Sequence, residues 1–216
     1  MDAAEQTLRE AVVHSCREMA RLGVAKGTSG NIGARHGEGF LISPTGVAYD
    51  QMRPEQVVQV HWDGSFDGSV LPSSEWRFHR DILFHRREFN AVVHTHSMHA
   101  TALAIMGRGI PAIHYRIAAA GGADIRCATY ATFGEQELSD HALLALQGRK
   151  ACLLAHHGVI AAESSLPRAL ALAVTVEELA QQYLLCLPLG EPPVLGDAEI
   201  ARVLVKFRSY GQQKPP

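Results

Sequence analysis

Two short apolar runs, each ending in histidine, constrain the fold of this chain most strongly. The first is Ala91-Val-Val-His-Thr-His96 and the second is Ala151-Cys-Leu-Leu-Ala-His156. Runs of this length between polar segments are typical of buried strands, because helices usually need about ten residues or more. Alternate side chains of a strand share a face, so His94 and His96 are predicted to point to the same side of a sheet. The fold is therefore predicted to contain a sheet that presents imidazoles at strand ends.

The segments around these runs indicate helices. Apolar residues recur at three- and four-residue spacing from Leu8 to Leu22, and Gly23 follows as a stop. Pro72-Ser-Ser-Glu75 predicts a helix that a serine caps and that continues to about residue 87. Further predictions are helices at 97–106, 135–146, 167–187 and 197–210, short strands at 40–43 and 57–60, and an irregular stretch at 107–134. These elements fit one α/β or α+β domain over residues 1–216, with helices on both sides of a sheet.

The charge balance and the cysteine content limit which classes of partner and which cellular compartment are expected. Lys plus Arg total 20 and Asp plus Glu total 22, so the net charge of −2 lacks the basic excess of a nucleic-acid or anionic-membrane binder. The amino terminus does not resemble a signal peptide, and we expect no apolar segment of the roughly 20 residues that span a bilayer. The four cysteines are widely spaced without a Cys-x-x-Cys motif, which indicates reduced core residues. We predict a cytoplasmic protein with a small-molecule partner, and neither a nucleic-acid nor a membrane partner.

The histidines at the strand ends suggest a metal site. With 12 histidines in the chain, one His-x-His pair carries little weight by itself. Here, however, His156-His157-Gly158 ends the second apolar run, and Glu75 lies at a predicted helix start, so three imidazoles and one carboxylate could bind zinc. The alternative, equally open from spacing alone, is that these are hydrogen-bonded histidines at the rim of the sheet. The other histidines lack partners at ligand spacing and are predicted to be surface or hydrogen-bonded residues.

Small polar turns offer an anion site. Gly30-Asn31, Thr45-Gly46 and Ser73-Ser74 present backbone N–H groups and short side-chain donors, and the last pair lies at a helix amino end. Taken singly, each is more often an ordinary turn or cap. The chain lacks the phosphate-loop and dinucleotide glycine motifs, so a phosphate on a small substrate fits better than a nucleotide. No lysine lies in an apolar strand, which argues against Schiff-base chemistry.

Five motifs in order carry a family resemblance. They are Gly27-Thr-Ser-Gly-Asn31, Ser43-Pro-Thr-Gly46, Pro72-Ser-Ser-Glu75, His94-Thr-His96 and His156-His-Gly158. In this order they resemble the class II aldolase/adducin family, and the resemblance extends over nearly the whole chain. Four further segments are similar to those of the family's L-fuculose-1-phosphate aldolases: Ile110-Pro-Ala-Ile-His-Tyr115, Ala118-Ala-Ala-Gly-Gly122, Tyr130-Ala-Thr-Phe-Gly134 and Lys206-Phe-Arg-Ser-Tyr-Gly211.

The resemblance implies a fold and roles for individual residues. The expected fold is α/β, a three-layer αβα arrangement around a mainly antiparallel sheet, in a homotetramer with active sites at subunit interfaces. Zinc would be bound by Glu75, His94, His96 and His157, and Glu75 would also act as a base. The substrate phosphate would be bound by Asn31, Thr45, Gly46, Ser73 and Ser74. Two catalytic tyrosines, Tyr115 and Tyr210, would enter from a neighbouring subunit.

The activity implied by the resemblance is reversible, zinc-dependent cleavage of a ketose 1-phosphate, L-fuculose 1-phosphate first, to dihydroxyacetone phosphate and L-lactaldehyde. 5-Deoxyribulose 1-phosphate and 5-methylthioribulose 1-phosphate are alternative substrates, because pockets that differ by one small group are not distinguishable in sequence. An L-ribulose-5-phosphate 4-epimerase or a sugar-phosphate dehydratase is a further enzymatic interpretation, although the segment around Tyr115 favours the aldolase. A non-catalytic, adducin-like scaffold is the remaining alternative, and the complete ligand set argues against it.

Overall fold

A seven-stranded sheet forms the centre of the computed structural model, which describes residues 2–207. Its strands are β1 (Asn31–His36), β2 (Gly39–Ile42), β3 (Val58–His61), β4 (Ala91–Thr95), β5 (Arg126–Ala128), β6 (Ala151–Leu154) and β7 (Gly158–Glu163). The helices are α1 (Ala3–Arg21), α2 (Trp76–His85), α3 (Met98–Ile105), α4 (Gln136–Ala145), α5 (Leu166–Cys186) and α6 (Asp197–Phe207). The strand order across the sheet is β3-β2-β1-β4-β7-β6-β5.

The sheet is mixed, which corrects the expectation of a mainly antiparallel one. β5 pairs with β6 in parallel, with Cys127 opposite Leu153, whereas the other neighbouring strands pair antiparallel. Parallel neighbours need a long crossover connection, and α4 lies in the connection between β5 and β6. β5 falls within residues 107–134, which were predicted to be irregular. The sequence analysis missed it because a three-residue strand is too short to show a periodicity.

Both faces of the sheet are covered, and the fold is therefore an αβα arrangement. On one face, side chains such as Val93 and Ala161 pack in a core shared with α1, α3, α5 and α6. On the other face, Val92 and Ile160 pack in a second core shared with α2 and α4. Consecutive residues of one strand thus enter opposite cores, as the alternation of side chains along a strand requires. This double burial explains why β4 reads as a continuous apolar run.

One helix passes the length and composition test for a membrane span, which the sequence analysis did not anticipate. Leu166–Leu189, which is α5 with the turn after it, has the length and composition of a membrane span, contrary to the expectation stated above. Val176 on this helix is fully buried in the core. Glu177 accepts hydrogen bonds from the backbone N–H groups of His99 and Ala100 at the start of α3. A helix with these contacts on one face is a core helix of the domain.

The start of α2 differs in detail from its prediction. Glu75 occupies the N-cap position, so the predicted serine cap is wrong. Ser73 lies two residues earlier, where its hydroxyl accepts a hydrogen bond of 3.3 Å from the Glu75 N–H and its carbonyl accepts one of 3.1 Å from the Trp76 N–H. The helix start therefore holds a carboxylate, rather than a hydroxyl, next to the middle of the sheet.

Candidate metal centre and anion pocket

Three histidines converge because β4 and the β6–β7 hairpin end side by side. Thr95 lies opposite Val159 in the antiparallel pairing of β4 with β7. A Cβ at Gly158 would lie only 2.4 Å from the Thr95 carbonyl oxygen, so glycine is needed for this close approach. His156, two residues before Gly158, has a φ of +55°, a value that residues other than glycine rarely adopt. The ring centroids of His94, His96 and His157 lie 4.8 to 4.9 Å apart.

Glu75 completes a cluster of four possible metal ligands. One ligand atom from each of Glu75, His94, His96 and His157 lies within 4.8 Å of every other. Glu75 Oε2 is 3.2 Å from His94 Nε2, and Glu75 Oε1 is 3.0 Å from His157 Nε2. His94 is fully buried and the Glu75 side chain nearly so, whereas His96 and His157 are more open to the pocket. The four residues that the sequence analysis proposed as ligands are thus neighbours in space.

A bound cation would satisfy the lone pairs of this cluster better than protons can. His94 Nδ1 lies 2.8 Å from the Val159 carbonyl oxygen and must donate to it, which leaves Nε2 of the neutral ring as an acceptor. That Nε2 faces both His96 Nε2, at 2.9 Å, and Glu75 Oε2. A proton on Nε2 could serve only one of these two neighbours. A bound cation would satisfy the lone pairs of all four residues, so the donor set fits a zinc ion.

Burial and neighbouring charge perturb the groups of the cluster. Burial opposes ionisation of Glu75, but the adjacent imidazoles of His94 and His157 outweigh it and hold the pKa of this carboxyl below its usual value. Burial lowers the pKa of His96 to about 4, and electrostatic interaction with the neighbouring His94 and His157 adds to the effect. Glu75 is therefore a carboxylate and His96 a neutral imidazole at neutral pH, the protonation states in which both bind metals.

A cavity of about 360 Å³ opens beside the cluster. Its lining includes Glu75, His96 and His157 together with every residue predicted to bind phosphate: Asn31, Thr45, Gly46, Ser73 and Ser74. Tyr130 and Phe133 line the same cavity, and both rings are more than half exposed. The cavity thus combines a ligand cluster, small hydrogen-bond donors and an aromatic wall.

Asn31 has contacts that its predicted role did not include. Its side-chain Nδ2 donates to Glu75 Oε2 over 2.8 Å, and its Oδ1 accepts from Nε2 of His79. His79 is fully buried, and burial lowers its pKa to about 3. The sequence analysis predicted for His79 only a surface or hydrogen-bonded role. The signal that was missed is its spacing, since His79 lies four residues after Glu75 and therefore on the same face of α2.

Tyr115, one of the two predicted catalytic tyrosines, does not line this cavity. Tyr115 is 49% exposed, stacks on His114 at a centroid distance of 4.6 Å, and lines a separate cavity near Phe207. Within one chain, therefore, Tyr115 does not reach the histidine cluster. Tyr210 lies outside the described residues.

Comparison with known proteins identifies the family. The family described as Class II Aldolase and Adducin N-terminal domain matches residues 10–184. The L-fuculose phosphate aldolase of Escherichia coli (strain K12) is 52% identical over 205 residues, which cover 94% of this chain and 95% of the relative. The 5-methylthioribulose-1-phosphate/5-deoxyribulose-1-phosphate aldolase of Rhodospirillum rubrum is 51% identical over 211 residues, which cover 98% of this chain and 96% of the relative.

A solved structure agrees with these relatives. An L-fuculose 1-phosphate aldolase superposes with a TM-score of 0.91 at 33% identity, covering 96% of this chain and 98% of that one. The seven-stranded sheet with helices on both faces is therefore the class II aldolase fold. The chain belongs to the class II aldolase/adducin family and is a metal-dependent aldolase of that family, a carbon–carbon lyase.

Proposed function

We propose that the protein cleaves L-fuculose 1-phosphate reversibly to dihydroxyacetone phosphate and L-lactaldehyde, with zinc as the metal. The observation that carries the proposal is that the Glu75–histidine cluster and the small polar turns open into one cavity. A metal-binding end and an anion-binding end in a cavity of this size suit a short phosphorylated ketose.

In this proposal the ends of the cavity hold different parts of the substrate. A zinc ion would supply a Lewis acid that stabilises negative charge on substrate oxygens, and its ligands would be Glu75, His94, His96 and His157. The phosphate would be held without lysine by backbone N–H groups and short side chains, those of Asn31, Thr45, Gly46, Ser73 and Ser74. Anchoring the phosphate fixes the distance of the reacting carbons from the cluster.

Two residues move the protons of the reaction. When the C3–C4 bond of the ketose breaks, the C4 hydroxyl loses a proton and C3 gains one. Glu75 exchanges the proton at C3, a role supported by its Oε1 atom, which is buried without a hydrogen bond to residues 2–207. Tyr115 of a neighbouring subunit exchanges the proton of the C4 hydroxyl, and synthesis reverses both transfers. Tyr210 is assigned to the site, from a neighbouring subunit, by family resemblance alone.

The proposed assembly is a homotetramer of single-domain chains, 1–216, with active sites between subunits. Its support is the placement of Tyr115, which is exposed and far enough from the cavity to be absent from its lining. A single sheet that contains all strands of residues 2–207 supports one domain. Four free cysteines, two of them buried, are consistent with the cytoplasm.

A second substrate class is favoured by one specific comparison. The Rhodospirillum rubrum relative, named for 5-methylthioribulose 1-phosphate and 5-deoxyribulose 1-phosphate, is as similar to this chain as the L-fuculose phosphate aldolase. The three ketoses differ only in the aldehyde half, which would face Tyr130 and Phe133 at the aromatic wall. Such differences usually change kcat/KM by about 10- to 200-fold.

A substrate screen tests the proposal directly. Purified protein is given each of the three ketose 1-phosphates, and released dihydroxyacetone phosphate is measured through a coupled reduction. We expect kcat/KM for L-fuculose 1-phosphate to exceed the others by at least about tenfold. A higher kcat/KM for 5-deoxyribulose 1-phosphate or 5-methylthioribulose 1-phosphate would make that ketose the preferred substrate instead. Interconversion of pentulose 5-phosphates without fragment release would instead support the epimerase.

A further inference from the structure

A fully buried histidine, His79, lies behind the proposed base and belongs neither to the ligand cluster nor to the cavity lining. His79 lies one helical turn after Glu75 in α2, and both side chains are directed at β1. The side chain of Asn31 lies between them, bonded to Glu75 Oε2 on one side and to His79 Nε2 on the other. Asn31 thus links His79 to the proposed base through hydrogen bonds.

The chemistry of the three side chains determines the donor and the acceptor in both hydrogen bonds, Glu75–Asn31 and Asn31–His79. A carboxylate only accepts, so Asn31 must present its Nδ2 to Glu75 and therefore its Oδ1 to His79. The Asn31 carbonyl only accepts as well, so His79 must carry its proton on Nε2. His79 Nδ1 is then an acceptor, and it has no hydrogen-bond partner among residues 2–207. One tautomer of His79 and one orientation of Asn31 are compatible with an ionised Glu75.

The space for His79 is provided by β1. Gly33 lies two residues after Asn31 and hence on the same face of the strand. A Cβ on Gly33 would lie 2.7 Å from His79 Nδ1 and 3.2 Å from its Cγ, so any other residue would displace the imidazole. Burial of an acceptor without a partner destabilises a fold, and a leucine in the same space would avoid this cost. The placement of a histidine here therefore indicates a requirement other than packing.

We propose that His79 is a positioning residue that acts through Asn31 to fix the Glu75 carboxylate. The proposal rests on the proposed role of Glu75 as ligand and base. Asn31, held by His79, restrains Oε2, which leaves Oε1 as the oxygen next to His157. Without the His79 donor, Asn31 could rotate its amide, and Glu75 would lose the restraint that keeps one oxygen aimed at the reacting carbon.

Three variants test this role by activity and by metal binding. His79→Leu removes the donor, His79→Gln keeps an N–H close to the position of Nε2, and His85→Leu is an exposed control on the same helix. For the zinc-saturated enzyme we expect His79→Leu to lower kcat by about 10- to 100-fold with KM changed by less than about threefold. We also expect its zinc dissociation constant, measured by chelator competition, to rise by about tenfold or more. His79→Gln should recover most of both losses, and His85→Leu should match wild type.

A second readout needs neither turnover nor metal. Nitrogen-15 NMR of metal-free wild type should show His79 protonated at Nε2 alone. In Glu75→Gln the amide can face Asn31 either way, so the His79 ring should no longer be restricted to that tautomer. An Nδ1-protonated His79 in wild type, or wild-type kcat and zinc affinity in His79→Leu, would overturn the positioning role even if His79→Leu folds less well. Full turnover in Glu75→Gln would overturn the proposed function instead, so the two failures are distinct.

Discussion

At the residue scale, the two oxygens of Glu75 have different surroundings. Oε2 accepts from Asn31 and lies near His94, whereas Oε1 lies 3.0 Å from His157 Nε2 and accepts no hydrogen bond from the described part of the chain. One oxygen is thus restrained and the other is available. This asymmetry suits a group that both contacts a metal and exchanges a proton with substrate.

Glu75→Gln should separate these two roles. The amide keeps the size of the side chain and three imidazoles remain, so we expect the fold and much of the bound zinc to be retained. A glutamine cannot act as the base, so kcat should fall by about 10²- to 10⁴-fold, and exchange of the dihydroxyacetone phosphate C3 proton with deuterated water should fall with it. Exchange is followed by proton NMR. Wild-type exchange in this variant would assign the base to another residue.

The four ligand candidates could be predicted from sequence, but the residues behind them could not. His94 and His96 follow from strand periodicity and Glu75 from its place at a predicted helix start, whereas the family resemblance selects His157 over His156. The contact of Asn31 with Glu75 joins residues 44 positions apart and depends on how α2 packs on β1. The four-residue spacing places His79 on the same face of α2 as Glu75, but no local pattern encodes the packing on β1, so the contact of His79 with Asn31 emerges only from the fold.

At the element scale, α2 carries both Glu75 and His79, and a buried aspartate fixes it against α4. Asp81 is 6% exposed and accepts hydrogen bonds from Ser139 Oγ (2.7 Å) and Gln136 Nε2 (2.6 Å) of α4. Burial alone would raise the pKa of Asp81, but the bonds donated by Arg80, Gln136 and Ser139 hold it below its ordinary value of 3.8. The ionised form is therefore the one that the folded state stabilises.

Asp81→Asn should weaken the fold in a pH-dependent way. A depressed folded-state pKa contributes stability above the unfolded pKa of 3.8, and that stability is lost as the pH falls through the lower folded pKa. We expect Asp81→Asn to lower the free energy of unfolding by about 1–3 kcal/mol at pH 7. The gap to wild type should shrink below about pH 4. Urea unfolding of both proteins at several pH values measures this difference in the free energy of unfolding.

Asp140→Asn is the matched control for this experiment. Asp140 accepts from the same Gln136 side chain over 3.0 Å but lies at the surface. We expect a change of less than about 0.5 kcal/mol. A pH-independent loss in Asp81→Asn, or an equal loss in the control, would contradict the stabilising role of a buried charge.

The strands show where sequence patterns stop being informative at this scale. β4 and β6 are recognisable because both faces of each are buried and their residues are apolar throughout. β1, β5 and β7 were not predicted as strands. β1 contains Asn31, Gly33 and His36, which read as turn or polar residues, and β7 begins directly after a histidine turn that obscures its start. Tertiary pairing, rather than propensity, makes these segments strands.

At the scale of the whole molecule, the proposed site is incomplete in one chain. Tyr115 is exposed and packs near Phe207, while the Glu75–histidine cavity lies elsewhere on the same subunit. A tetramer in which one subunit presents Tyr115 to the cavity of the next would complete it. The family resemblance predicts this arrangement, and the separation of the two groups within one chain is consistent with it.

Mixed oligomers test whether the site is shared. Glu75→Gln and Tyr115→Phe chains, each nearly inactive alone, are co-expressed with different tags and mixed tetramers are purified. If each site takes Glu75 from one chain and Tyr115 from the next, about a quarter of the sites (½ × ½) should be intact and active. Native mass spectrometry confirms mixing. Mixed tetramers without activity above both parents would show that the two residues act within one chain.

The most direct test of the central claim is the metal content of the purified protein, measured together with dihydroxyacetone phosphate release. We predict about one zinc ion per chain, loss of both zinc and cleavage after chelation and gel filtration, and recovery of both when zinc is returned. A His94→Ala, His96→Ala, His157→Ala triple variant should bind no zinc. Full cleavage by metal-free protein, or about one zinc ion per chain in the triple variant, would contradict the proposed site.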